Sequence, residues 1–170
     1  MLLDDVENCL HISKEVFGDD YHHPIHFELS NKNHHYFIAE KNNQIIGFSI
    51  HYKVSDKEMK KITTDHFPLT YPNYYLIDVV AIAKKHQKKG AGTLLIDKIL
   101  NTRDPSVPLY SIAWKDITGI NIEKLYHNYN IKPRVNLGKV WAHGCNHKFV
   151  CTSYIHKCQC EGWLFQLVPC

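Results

Sequence analysis

No apolar run in the chain approaches membrane-spanning length, and Asp4, Asp5 and Glu7 stand where a secretory leader would carry lysines. Both absences predict a cytosolic protein that neither crosses nor is anchored in a membrane. Charge of one sign is also lacking. The 20 Lys and Arg against 17 Asp and Glu leave a formal net charge of +3, too little for the broad basic face of a dedicated nucleic-acid binder. Neither GxGxxG nor GxxxxGK[ST] occurs, which excludes the dinucleotide and P-loop readings on spacing. No internal repeat or low-complexity segment is present. Cysteine is missing between Cys9 and Cys145, so five of the six cysteines crowd the last stretch. What remains is globular: 170 residues, 44% hydrophobic and 22% charged, enough for one domain with a full core. The 13 histidines, with the pairs His22-His23 and His34-His35, read as composition bias in a chain rich in Lys and Asn.

The chain is organised around residues 74–92. Tyr74 to Ala83 is a continuous apolar run, rich in β-branched and aromatic residues and interrupted only by Asp78; it predicts a buried strand. Gln87-Lys88-Lys89-Gly90-Ala91-Gly92 follows as a turn. Thr93 to Leu100 then places Leu94, Leu95, Ile96, Ile99 and Leu100 on a helical face. A glycine-bearing turn that opens a helix presents unpaired N–H groups and the positive end of the helix dipole to an anion. Lys84, Lys85, Lys88 and Lys89 add charge, so the expected ligand is a pyrophosphate. The competing reading is an ordinary strand–turn–helix corner.

Around this centre the pattern predicts a helix over 1–17 with Val6, Leu10 and Phe17 on one face, ended by Gly18. A second short helix is expected at Ile25–Leu29. Tyr36–Glu40 and Gln44–Val54 predict a hairpin about Lys41-Asn42-Asn43, with Gly47 marking a bulge or a close neighbour. Ser55–Asn73 is a connection with a charged helical patch. Leu109–Trp114 predicts a strand, and Ile122, Leu125, Tyr126 and Tyr129 a short helix. Trp163-Leu164-Phe165 predicts a closing strand.

Gln87, Gly90 and Gly92 resemble the Gln/Arg-x-x-Gly-x-Gly/Ala signature of the GCN5-related N-acetyltransferase (GNAT) superfamily. Ile38-Ala39-Glu40 through Ile45-Ile46-Gly47-Phe48 resembles its hairpin. Leu125-Tyr126-His127-Asn128-Tyr129-Asn130-Ile131 resembles its "Leu-Tyr-x-x-x-Gly-Phe" signature, with Asn130-Ile131 in place of Gly-Phe. Asn tolerates the left-handed conformation that Gly would take there, so the turn should survive. The family's first strand is missing or very short. The resemblance implies an α+β (α/β) fold: a mixed, mostly antiparallel central sheet flanked by helices. It covers residues 1–142, with 143–170 a Cys/His-rich segment completing the same domain.

The resemblance further implies acetyl transfer from acetyl-CoA to a primary amine by direct attack. Backbone groups of Val80, Ala81 and Ile82 would pair with the pantetheine arm and polarise the thioester carbonyl. Gln87 and the amides of Lys88, Lys89, Gly90, Ala91, Gly92 and Thr93 would bind the pyrophosphate. Tyr126 is the candidate acid for the departing thiolate; its alternative is a core aromatic. Asp78 is the candidate base, acting on the amine through water, because a carboxylate in a buried strand is costly without a task; its alternative is an exposed or salt-bridged Asp. Glu40, His51 and Asp116 are weaker candidates, and the amine could also arrive neutral.

In the tail, Cys151-x6-Cys158-x-Cys160 is compact enough for three thiolates to converge on one ion, with Cys145 as the fourth ligand or His147 or His156 in its place. Thiolate and imidazole at this density predict a structural Zn²⁺. The segment resembles a "Cys-x-x-Cys-Gly-x-x-Cys-x-Cys" appendage of some acetyltransferases, with Tyr154 where the second Cys should stand. Buried thiols are one alternative, and a disulfide, disfavoured by the expected compartment, is another. Three functions follow: an acetyl-CoA-dependent N-acetyltransferase, a zinc-ribbon-like binding module, or a catalytically inactive CoA-binding protein on the same fold.

Overall fold

The computed structural model describes residues 3–18, 33–63, 71–140, 159–167 and 169. In chain order the elements are α1 (Leu3–Phe17), β1 (His34–Lys41), β2 (Gln44–Ser55), α2 (Asp56–Thr63), β3 (Asn73–Ile82), α3 (Ala91–Thr102), β4 (Leu109–Asp116), β5 (Gly119–Ile120), α4 (Glu123–Asn128), β6 (Lys132–Gly138) and β7 (Glu161–Leu167). The short helix expected at Ile25–Leu29 lies outside the described residues. No described helix is long and apolar enough to cross a membrane.

The strands form one seven-stranded sheet in the order β1-β2-β3-β4-β7-β6, with β5 paired to β4. Every neighbouring pair is antiparallel except β3 and β4. This is the mixed, mostly antiparallel sheet expected from the sequence. The hairpin forms where predicted. Asn42 and Asn43 sit at φ 51° and 58°, and two left-handed central residues make the two-residue turn that matches strand twist. Both expectations for Gly47 hold. The register steps from Ala39↔Gly47 to Glu40↔Ile45, so Ile46 is the extra residue of a bulge. A Cβ on Gly47 would also stand 2.8 Å from the Ala81 carbonyl oxygen and collide with the Ile82 side chain. The closing strand became β7, which runs from Glu161 to Leu167 and is inserted between β4 and β6.

Helices cover both faces of the sheet. Cys9 and Ile12 of α1 bury Phe48, Ile50, Val79 and Ala81, while Met59 of α2 joins Val54, Tyr74, Leu76, Tyr110 and Leu164. On the opposite face Ile96 and Ile99 of α3 and Tyr126 of α4 pack against Ile77, Leu109, Ala113 and Phe165. The predicted face of α1 is corrected: Leu10 is 40% exposed, and the buried stripe is Cys9, Ile12 and Ser13 with Val16 and Phe17 against it. Cys9, Ile12, Ser13 and Val16 keep helical spacing, but a stripe built partly from Cys and Ser is easy to overlook beside leucine. The charged patch after β2 is α2, started by a capping box. The Ser55 backbone N–H donates to Glu58 Oε2 at 2.8 Å and the Glu58 N–H to Ser55 Oγ at 3.3 Å.

His51 on β2 is buried, stacked on His35 with ring centroids 5.0 Å apart, and its Nδ1 has no hydrogen-bond partner among the described residues. Desolvation first, and the neighbouring His35 second, push its imidazole down to about 4. The unfolded chain therefore binds a proton that the native chain refuses between about pH 6.5 and 4, and stability falls as pH drops through that window. Urea midpoints measured from pH 7 to pH 4 should decline by an amount equivalent to about 3 kcal/mol. In His51→Leu that part of the slope should vanish.

Candidate active site

β3 is held along its whole length on one side and along only part of it on the other. It pairs with β2 from Ser55↔Asn73 to Gly47↔Ile82. With β4 it shares three rungs, Tyr75↔Leu109, Leu76↔Tyr110 and Ile77↔Ser111. Beyond Ser111, β4 follows β7 as far as Lys115↔Glu161. Each strand is thus kept in line by its outer neighbour, and between 78–82 and 112–116 the two part. Along that stretch every second amide and carbonyl of β3 faces the gap rather than a strand. This wedge contains Val80, Ala81 and Ile82. Ala81 is buried against α1; Val80 and Ile82 are half-buried.

At the mouth of the wedge the chain turns into α3. Lys84–His86 forms one 3-10 turn, and the Lys84 N–H donates to Glu15 Oε1 of α1 at 2.8 Å. Lys88 at φ 58° and Gly90 at φ 89° bend the loop, and α3 begins at Ala91, two residues earlier than its apolar face alone implies. Gly90 occupies the N-cap position with no side-chain cap, and the first intrahelical bond of the helix is Leu94 N–H to the Gly90 carbonyl at 3.1 Å. The Ala91, Gly92 and Thr93 amides precede that bond in the first turn, the place where a helix offers N–H groups to an anion. The cationic field is visible in His86. Desolvation, then the charges of Lys85, Lys89 and Lys41, hold its imidazole below the usual range.

Two side chains of the loop also hold it together. The Gln87 side-chain amide donates to the Ile82 carbonyl at 2.9 Å and ties the loop to the end of β3. Lys89 Nζ donates to the Lys85 carbonyl at 2.7 Å. The two glycines also differ. A Cβ on Gly90 would meet nothing within 4 Å, so its requirement is conformational, whereas a Cβ on Gly92 would stand 3.3 Å from Leu125 Cδ2 of α4.

Asp78 sits where simple alternation along β3 fails. The register passes from Ile50↔Val79 to His51↔Ile77, leaving Asp78 as the extra residue of a bulge. Tyr75, Ile77 and Val80 pack toward α3, while Leu76, Val79 and Ala81 pack toward α1 and α2. A strict two-residue period would have put Leu76 and Val80 together; the bulge separates them. Burial foremost, then the charges of Asp78 and Glu58, push the Tyr52 phenol well above its usual range. The weaker candidates have other surroundings: Glu40 is exposed at the hairpin, His51 packs among His35, Phe37 and Tyr75, and Asp116 Oδ1 accepts from Thr118 N and Oγ1.

Tyr126 is 1% exposed and stacks edge-on against Phe165 with centroids 5.3 Å apart. Its hydroxyl donates to Ser111 Oγ at 2.7 Å. Ser111 lies in the last rung shared by β3 and β4, so the phenol oxygen is placed at the apex of the wedge. Burial pushes the phenol far above its usual range, with the Ser111 bond opposing. The turn behind Tyr126 keeps its shape: Asn130 takes φ 57°, and the Ile131 N–H reaches back to the Tyr126 carbonyl at 3.0 Å. Tyr129 Oη donates to Asp97 at 2.6 Å and fastens α4 to α3. Sequence reasoning missed Ser111; its signal was a small polar residue inside the otherwise aromatic and aliphatic run Leu109–Trp114.

Of the four predicted zinc ligands, only Cys160 lies among the described residues, buried directly ahead of β7. Cys145, Cys151 and Cys158, with His147 and His156, lie outside them. Among the described residues no group of three or more His, Cys, Asp or Glu gathers. The predicted zinc set thus rests on residues outside the described ones, and Cys160 itself is buried.

A search of the curated proteins finds no match to the chain. Solved structures share its fold. Arabidopsis thaliana NAA60 in complex with a bisubstrate analogue aligns at 14% identity and TM-score 0.67 over 98% of this chain and 94% of its own. An aminoglycoside 6'-N-acetyltransferase complexed with coenzyme A aligns at 9% identity and TM-score 0.61, covering 96% and 90%. A GNAT family acetyltransferase from Elizabethkingia anophelis with acetyl-CoA bound aligns at 20% identity and TM-score 0.59, covering 88% and 84%. The family model for the acetyltransferase (GNAT) family matches residues 3–102, from α1 through β3 to the end of α3. A parted strand pair aimed at an uncapped helix N-terminus and a sequence match over more than half its length agree: the chain belongs to the GNAT acetyltransferase family.

Proposed function

We propose that the protein transfers an acetyl group from acetyl-CoA to a primary amine. The observation that carries this reading is the wedge between β3 and β4, open to the N-terminus of α3. A pantetheine arm is a chain of amides. Laid along 80–82 it would find the strand-edge groups that β4 leaves, and its pyrophosphate would lie at the amides of 88–93. The coenzyme A and acetyl-CoA complexes among the structural neighbours agree with this. The acceptors in the neighbours' names differ, and at these identities none carries over.

In this reading the neutral amine attacks the thioester carbonyl, the N–C bond forms and the C–S bond breaks. The nitrogen gives up a proton to Asp78, directly or through water, and Tyr126 gives one to the sulfur. Asp78→Asn should lower kcat about 30-fold near neutral pH, where an alkylamine is mostly protonated. The deficit should shrink as pH rises and the amine sheds its own proton. No step runs through a metal.

A catalytically inactive CoA binder is the second reading, favoured by the complete burial of Tyr126. Thermal shift with acetyl-CoA and release of free thiol against an amine library test both. The transferase should show both signals. Protection without thiol release for any amine establishes the inert binder, and protection by neither ligand form removes both readings.

A further inference from the structure

Ser111 is 5% exposed, faces the helix pair α3 and α4 from the middle of β4, and meets the Tyr126 hydroxyl at 2.7 Å. It also forms the last rung with Ile77 before the strands part. A serine hydroxyl has one donor and two acceptor positions and rotates to suit its partner. No other side-chain hydroxyl or charged group is bonded to the phenol among the described residues. We propose that Ser111 is a positioning residue for acyl transfer, holding the Tyr126 hydroxyl at the apex of the wedge and steadying the oxygen after its proton has gone. This rests on the reading of Tyr126 as the acid.

In the resting protein the phenol donates and Ser111 Oγ accepts. For transfer the phenol O–H swings from Ser111 Oγ toward the thioester sulfur; as the C–S bond breaks, the electron pair stays on sulfur and the phenol proton moves to it, giving a thiol and a phenolate. The Ser111 O–H then turns and donates to the phenolate oxygen. Water returns a proton to the phenolate, while the proton lost by the amine leaves through its own acceptor, so the cycle closes with no other reactant. In a site with little water this single donor stands in for solvent at the charged stage, when a bond to an ionised group is worth most. Without it the O–H of the phenol also loses its fixed direction, while the buried ring holds the oxygen in place.

The test is a double-mutant cycle of Ser111→Ala and Tyr126→Phe, read as kcat and KM for acetyl-CoA, with Ser111→Thr as the conservative variant. Ser111→Ala should lower kcat about tenfold with KM within about twofold, consistent with loss of one bond to a charged oxygen. The same change in the Tyr126→Phe background should cost nothing further, and Ser111→Thr should restore most of the rate. An equal loss in both backgrounds, or no loss in either, overturns the proposal. A readout free of substrate accompanies it: the ¹³C shift of Tyr126 Cζ in ring-labelled protein, assigned with Tyr126→Phe. It should move in Ser111→Ala and return in Ser111→Thr; an unmoved resonance denies the bond. If the Cζ resonance moves but the wild type releases no thiol with any amine, the bond stands and the transferase reading fails, taking the positioning role with it.

Discussion

Tyr126→Phe is expected to lower kcat about 10³-fold while the Kd of acetyl-CoA stays within about twofold. The estimate lies inside the range for removal of a positioned general acid. The ring would keep its place against Phe165, since only the oxygen is removed. Stability should fall by about 1 kcal/mol, the usual net worth of one hydrogen bond, here the one to Ser111. The pH behaviour follows from burial. A phenol whose folded value is raised keeps its proton as pH rises, so Tyr126 stays competent as a donor across the whole working range. Any alkaline limb in the rate profile must belong to another group and should persist in Tyr126→Phe. A fall in melting temperature with kcat unchanged would identify Tyr126 as a core aromatic only. Stopped-flow thiol release in parallel with urea unfolding separates the two outcomes.

Gly90→Val should weaken coenzyme A binding about 100-fold by calorimetry. At φ 89° a β-branched residue is strained by at least about 1–2 kcal/mol. The loop would relieve that strain by abandoning the conformation that presents its amides. A Cβ at this position meets nothing within 4 Å, so the first atom of the new side chain enters open space rather than the core. Each tenfold in Kd is about 1.4 kcal/mol, and strain and obstruction together reach the expected value. Gly90→Asn should lose less than about fivefold, because Asn tolerates the left-handed region. Gly92→Ala separates the two glycines. Its Cβ contact is with the end of the Leu125 side chain at 3.3 Å, which can shift, so binding should be nearly retained.

Where each residue's task is set by its own backbone conformation or its near neighbours in sequence, the site was legible. The hairpin about Asn42-Asn43, the turn at Gly90 and the left-handed Asn130 are of that kind, since few residue types tolerate positive φ. The continuous apolar run of β3 was legible because a strand covered on both faces cannot alternate. Asp78 was found as an oddity, but its direction was not. A bulge is a property of the pairing between Ile50–His51 and Ile77–Val79, and no single strand records it. The task of Ser111 was hidden for the same reason: its partner lies fifteen positions away on α4. The buried face of α1 was misplaced because it is built partly from Cys9 and Ser13, which read as less apolar than the exposed Leu10.

The most direct measurement is an amide ¹⁵N–¹H spectrum titrated with coenzyme A. The account predicts that Val80, Ala81 and Ile82 on the wedge edge and Lys88 through Thr93 at the start of α3 shift together and saturate at one concentration, while amides of β6 stay in place. Saturating coenzyme A that leaves those nine amides unmoved would contradict it.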